Sequence, residues 1–336
     1  MKRFFGLLAL LIFCTSASAQ DSTWKTFISK EGRFSIKLPS RPVSSTENPS
    51  PNNVSHGFTV SDKNAEFYVS YSDFKPEQIK SIDSEKLLDR ARDGGVANVK
   101  GKLLAETKIS IDGSPGRDIT IELPGGDDLK ARARFYFVNN RLYTMVLAGP
   151  KAISDGADTD TFLGSLKLIN PKPLPETWTP LSSTEGRFII KMPGKPTASN
   201  LAEKVKKNSV HLWQLSLEKN EINYFVAYND LGAVPEKADE IEAALDSGRD
   251  ALAKSLSATV DEDRLLSVDG NPGREVTMHI GEKDSANSAL VLFRGFIVKG
   301  RYYQVMALGS KAGMEKGRIE DFMDSFQLTK APDAKK

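Results

Sequence analysis

Hydrophobic residues recur at two different periods along the chain, and the whole pattern occurs twice. Ile109 and Ile111, then Ile119, Ile121 and Leu123, alternate with polar residues. A period of two with β-branched side chains marks a half-buried strand. Gly113-Ser114-Pro115-Gly116-Arg117 separates the two runs. Pro presets φ at the second position of a turn and Gly permits positive φ at the third, so this spacing predicts a type II turn. Apolar runs flanking Asn139-Asn140 predict a further hairpin closed by a tight I′ turn. The same order returns from Leu265 onward, with Gly270-Asn271-Pro272-Gly273-Arg274 and then Lys299-Gly300. Four consecutive antiparallel strands are predicted in each copy.

Upstream of these strands the period changes. Ile241, Leu245, Leu252 and Leu256 fall at helical spacing, and Leu88, Ala91 and Val99 hold the matching places in the first copy. Both helices carry Leu-Asp-x-x-Arg-Asp, at Leu88–Asp93 and Leu245–Asp250. The repeated acids predict solvated pairs with Arg92 and Arg249 at i,i+3 or i,i+4. Each copy opens on Trp, at Trp24 and Trp178. Over the first twenty residues of each copy, 24–43 against 178–197, 10 of 20 are identical. Such matches in a constant order indicate a tandem duplication. Ser44–Asn53 reads as a polar, proline-bearing loop. Short helices are expected to close the copies at Thr161–Leu168 and Asp321–Leu328. Each copy thus reads β-β-β-β-α-β-β-β-β-α, an α+β arrangement with helices packed on an antiparallel sheet. The expected boundaries are a leader at 1–19, a first domain at 20–170, a linker at 171–177, a second domain at 178–330 and a tail at 331–336. The linker's alternating prolines predict a semi-rigid spacer.

The leader reading rests on Lys2 and Arg3, the apolar run Phe4–Phe13, and Ala17-Ser18-Ala19 before an expected cleavage at Gln20. It predicts export to the periplasm or beyond. Cys14 is the single cysteine of the 336 residues. It follows Leu11-Ile12-Phe13, where Phe13 replaces the small residue a lipidation signal prefers. An exported chain cut after Ala19 has no thiol, so disulfides and thiolate chemistry are excluded. Without Lys2 and Arg3, the 46 Lys+Arg fall to equal the 44 Asp+Glu. A balanced chain argues against nucleic acid, which rewards basic surfaces. No second stretch is apolar enough to span a membrane.

Chemical motifs are sparse. His56, His211 and His279 have no partner at ligand spacing, and each lacks a counterpart in the other copy's aligned sequence. No metal or cofactor is implied, and no nucleophile motif appears. Asp155, Asp158 and Asp160 miss the spacing of a calcium loop and suit the first turn of a closing helix. The repeated arginines and tyrosines form the candidate interaction surface: Arg117/Arg274, Arg134/Arg294, Arg141/Arg301, Tyr71/Tyr228 and Tyr143/Tyr303. Arg and Tyr dominate interface hot spots. Residues kept in both copies are also those that both folds need.

An opening Trp, Glu-Gly-Arg-Phe-x-Ile-Lys-x-Pro, a long helix, Gly-x-Pro-Gly-Arg, Arg-x-Tyr and a closing Phe-x-x-Ser-x-x-Leu together resemble exported bacterial proteins of the PsbP/DcrB-like fold, an α/β/α sandwich. The resemblance covers nearly all of each copy. It implies a non-enzymatic adaptor or assembly module binding another envelope or secreted protein, and it transfers no binding residue. The alternatives are a binder of a small ligand or metal ion in a pocket between sheet and helix, and an unrecognised hydrolase.

Overall fold

The computed structural model describes residues 24–50, 53–62, 65–79, 83–125, 128–170, 178–200, 210–217, 222–283, 285 and 288–329. The expected leader, linker and tail lie outside them. Within the described residues the chain forms two compact units. The first takes in Ser22–Phe27 and Phe34–Ile169, and the second Ile28–Arg33 and Asn170–Lys336.

The chain opens on β1 (Lys25–Ser29), β2 (Phe34–Leu38), β3 (Val43–Ser50), β4 (Asn53–Asp62) and β5 (Ala65–Asp73). Helices α1 (Pro76–Ile79) and α2 (Ser84–Asn98) follow, then β6 (Lys102–Ile111), β7 (Ser114–Glu122), β8 (Leu129–Val138) and β9 (Arg141–Pro150). Short helices α3 (Lys151–Ser154) and α4 (Ala157–Leu163) lead to β10 (Lys167–Leu168). The later part runs β11 (Thr179–Ser183), β12 (Phe188–Met192), β13 (Thr197–Asn200), β14 (His211–Leu217) and β15 (Ile222–Asp230). It continues through α5 (Ala238–Leu256), β16 (Ala258–Val268), β17 (Asn271–Ile280), β18 (Ala289–Val298), β19 (Arg301–Ser310), α6 (Lys311–Lys316), α7 (Ile319–Asp324) and β20 (Gln327–Leu328).

The fold is α+β, mostly antiparallel sheet. The first unit's main sheet has the order β3-β4-β5-β9-β8-β7-β6. In the second unit the corresponding strands run β13-β14-β15-β19-β18-β17-β16, the same order element by element. Both faces of each sheet are covered. In the first unit Leu88 of α2 packs on Ile119, Ile121, Ala131, Ala133 and Phe135. The opposite face buries Phe67 against Phe162, their rings edge to face with centroids 5.5 Å apart. A fully buried Phe contributes about 2–3 kcal/mol. In the second unit Leu245 and Leu252 of α5 pack on Val276, Met278, Val291 and Phe293.

Three details differ from the sequence reading. The polar stretch after Val43 is a strand: β3 pairs with β4 from Val43↔Thr59 to Glu47↔Ser55, then becomes irregular before Ser50↔Asn53. It is the terminal strand of its sheet, and Pro49 lies in the irregular part, where no ladder N–H is needed. The turn after β6 sits three residues earlier than predicted. Asp112 and Gly113 (φ 48° and 79°) and Asp269 and Gly270 (49° and 74°) carry the positive φ values of I′ turns. Pro115 and Gly116 are instead the second and third residues of β7. Gly116 is required there, because a Cβ would lie 2.5 Å from the Phe135 carbonyl oxygen of β8. Finally, the closing helices end at Leu163 and Asp324, and the residues beyond form the two-residue strands β10 and β20. These pair with β2 and β12.

Candidate functional site

The β4–β5–β9 registers assemble one cluster in the first unit. Tyr71 lies opposite His56 on one side and Tyr143 on the other, and Asp73 lies opposite Arg141. Arg141 grips Asp73 with two hydrogen bonds, Nε to Oδ1 at 2.6 Å and Nη2 to Oδ2 at 2.7 Å. Such a fork-to-fork pair is strong and directional. Its guanidinium sits 4.5 Å above the Tyr71 ring, a cation–π contact. The His56 imidazole stacks on the same ring at 4.8 Å.

The second unit repeats this arrangement. Arg301 holds Asp230 at 2.6 and 3.0 Å, lies 4.4 Å from the Tyr228 centroid, and His211 stacks on Tyr228 at 4.5 Å, nearly parallel. His56 and His211 are therefore counterparts, contrary to the sequence reading. They lie 155 positions apart, whereas strands on either side are offset by 154 and 157, so linear matching passed over them. The Arg301 hydrogen bonds hold the Asp230 carboxyl below the usual range. Burial pushes the Tyr228 phenol up to about 12. Tyr303 donates its hydroxyl to the Gly186 carbonyl at 2.8 Å. These groups clamp strands together.

Arg117 and Arg274 stand at the start of β7 and β17, nearly fully buried, and each reaches the long helix. Arg117 contacts Glu85 at 2.7 Å and Asp89 at 3.1 Å on α2, and Glu106 at 2.9 Å on β6. Lys108 also binds Glu85, at 2.8 Å. The Arg117 hydrogen bond, with help from Lys108, lowers the Glu85 carboxyl to about 2. Arg274 contacts Glu242 at 2.6 Å, Asp246 at 2.5 Å and Asp263 at 3.5 Å. The expected helical pairs are present, but Arg92 and Arg249 also bridge to strand acids Glu106 and Asp263.

Arg134 and Arg294 make a third pair of clusters. Arg134 binds Asp118 at 2.7 Å and donates to the Leu163 carbonyl at the end of α4 at 3.0 Å. Arg294 joins Glu275 and Asp324, each at 2.7 Å. The ten repeated residues thus divide into three internal clusters per unit and do not converge on one groove. Asp158 and Asp160 lie in the first turn of α4, as their spacing indicates.

One surface feature escaped the sequence reading. Leu103 and Leu104 are 37% and 44% exposed at the start of β6, the terminal strand of the first unit's sheet, and Val99, at the end of α2 just before it, is 36% exposed. The ladder slips between Leu103 and Ala105, so Leu104 is the extra residue of a bulge. Among the described residues no three His, Cys, Asp or Glu side chains are grouped to hold a metal ion. None of the described helices is long and apolar enough to cross a membrane.

No family model matches the chain, and no curated protein matches it. Among solved structures it is similar to the cyanobacterial PsbP (CyanoP) of Synechocystis sp. PCC 6803, at 11% identity and a TM-score of 0.35 over 46% of this chain and 98% of that one. It is also similar to the T6SS immunity protein TplEi of Pseudomonas aeruginosa complexed with "L" peptide, at 12% identity and a TM-score of 0.25, covering 92% and 99% of the two chains. A third similarity is to the Tle4–Tli4 complex, at 10% identity and a TM-score of 0.25, covering 93% and 100%. Likenesses this distant carry no functional inference.

Proposed function

We propose that this is an exported binding protein, built from a duplicated PsbP/DcrB-like module, that acts through contact with another envelope or secreted protein and not through catalysis. The observation that carries this reading is the exposed pair Leu103 and Leu104 on an open sheet edge, with Val99 exposed at the helix end just before it. Exposed apolar groups beside unpaired backbone are a typical protein-docking surface. The identical strand order of the two units and their matching Arg–Asp–Tyr–His clusters support the duplication. The leader pattern at 1–19 supports export, to the periplasm or beyond.

The test is crosslinking and capture from the native envelope with the wild-type chain and a Leu103→Glu/Leu104→Glu double variant. A reproducible partner that the variant fails to retain supports the reading. Recovery of the same proteins by both chains, or of none by either, refutes it. Amino-terminal sequencing of the exported protein is expected to begin at Gln20.

A further inference from the structure

We propose that the chain associates with itself head to tail: the hairpin tip Ser182–Arg187 of one copy seats on the β6–β7 turn of the next. The second unit already contains this contact once, made by residues 28–33. The Lys30 N–H donates to the Ser267 carbonyl at 3.3 Å, the Asp269 N–H donates to Glu31 Oε1 at 2.6 Å, and Lys30 Nζ donates to the Phe326 carbonyl.

Both halves of that contact exist a second time. The donor tip Ser29-Lys30-Glu31-Gly32-Arg33 recurs as Ser183-Thr184-Glu185-Gly186-Arg187, with one change. The two tips share an internal geometry. Gly32 and Gly186 donate N–H bonds to the hydroxyls of Ser29 and Ser183 at 3.0 and 2.9 Å, and Arg33 and Arg187 both have φ 54°. The receiving turn Ser267-Val268-Asp269-Gly270 recurs as Ser110-Ile111-Asp112-Gly113, with the same positive φ values.

The receiving groups also face the same way. Ser110 lies opposite Pro115 as Ser267 lies opposite Pro272. The pairs Ile111–Ser114 and Val268–Asn271 close the two-residue turns with hydrogen bonds, so the next pair in each ladder is not hydrogen-bonded and each serine carbonyl is directed away from the neighbouring strand, where proline needs no N–H. β6 is the terminal strand of its sheet, and among the described residues the Asp112 N–H makes no hydrogen bond. On the tip, Glu185 is 74% exposed, with His211 Nε2 3.8 Å away. Every molecule therefore carries one copy of the tip and one copy of the turn that the known contact does not use. Joining them between molecules gives a heterologous contact, which closes into a ring or extends into a filament according to its rotation. This inference is independent of the partner-binding reading above, because it uses Ser110, Asp112 and the 182–187 tip and not the Leu103/Leu104 patch.

The single change gives the sharpest test. Thr184→Lys restores the residue that reaches a third acceptor in the existing contact, so it should tighten association by roughly tenfold, whereas Glu185→Ala should weaken it by roughly tenfold. Sedimentation equilibrium of the full exported chain from about 1 μM to about 1 mM spans the range of a weak specific contact. Thermal melting checks that both variants fold as the wild type does. A mass that rises with concentration in the wild type or in Thr184→Lys, and falls on adding Glu185→Ala, supports the contact. A monomer at every concentration for both chains, or association indifferent to Glu185→Ala, overturns it.

Discussion

The two units solve the same packing problem with different side chains, and the difference is sharpest where the long helix crosses the sheet. In the first unit Phe135 fills the space above the sheet, and Gly95 of α2 approaches its ring tip. In the second unit the sheet position is Gly295, and the bulk comes from Tyr302, one strand over. A methyl group at either Gly248 of α5 or Gly295 would overlap the Tyr302 hydroxyl. Among the described residues that hydroxyl has no hydrogen-bond partner. Shape, and not polarity, retains it, and burial raises its pKa far above the ordinary phenol value. Core volume has been redistributed while the Arg117 and Arg274 anchors stayed the same. Apolar bulk can move between neighbouring positions if the total is kept. A guanidinium serving three carboxylates has no isosteric substitute.

That contrast orders the expected effects of substitution. Arg274→Ala strands Glu242, Asp246 and Asp263 around an empty site. Breaking a buried ion pair of this kind costs about 3–5 kcal/mol. Arg117→Ala should cost about 2 kcal/mol, since its acids are more exposed and regain water more readily. Chemical denaturation of the two variants checks the ranking, and equal losses would erase the distinction between the anchors. Next is Gly248→Ala, which should destabilise by about 1–3 kcal/mol through overpacking on Tyr302. Adding Tyr302→Phe should recover most of that loss, which a melt of the double variant reads directly. Gly94→Ala on α2 should act in the opposite sense. Its Cβ would meet nothing within 4 Å, so the helix gains about 0.5–1 kcal/mol. A drop in melting temperature for Gly94→Ala would show that α2 is not free to accept the methyl.

The smallest effect is one of pH. Glu85 titrates at about 2 in the folded chain because Arg117 and Lys108 hold its charged form. An unfolded Glu titrates near 4.3. The folded value is the lower, so this contribution to stability is complete above the unfolded value and disappears as pH falls through about 4 toward 2. Thermal melts between pH 6 and pH 2 should show a shallower acid decline for Glu85→Gln than for the wild type. Parallel curves would remove Glu85 from the anchor.

The strands, the long helices and their repetition were legible because each rests on a local period or a turn dipeptide. The turn before β7 was misplaced because Pro115-Gly116 carries turn chemistry of its own. What decides the matter is Gly116 approaching the Phe135 carbonyl, a long-range contact that no local rule contains. The sequence of β3 is polar and holds Pro49, the pattern of a loop, but terminal strands accept both. The ten arginines and tyrosines recur in both halves of the sequence, but recurrence alone does not distinguish an internal anchor from a contact surface. Their partners (Asp73, Asp118, Glu85 and the counterparts) lie on other strands and helices. The stacked histidines were hidden by a shift of register, and the Leu103–Leu104 patch by its presence in one copy only.

The exchange between Phe135 and Tyr302 also limits how the two halves can recombine. Ala91 occupies the α2 position that matches Gly248, so α2 grafted onto the second sheet would drive its methyl into the phenol. Any hybrid that places Ala91 over Tyr302 would be jammed at that point. Matching elements of the two halves are therefore not spare parts for one another, because each helix is cut to the sheet beneath it.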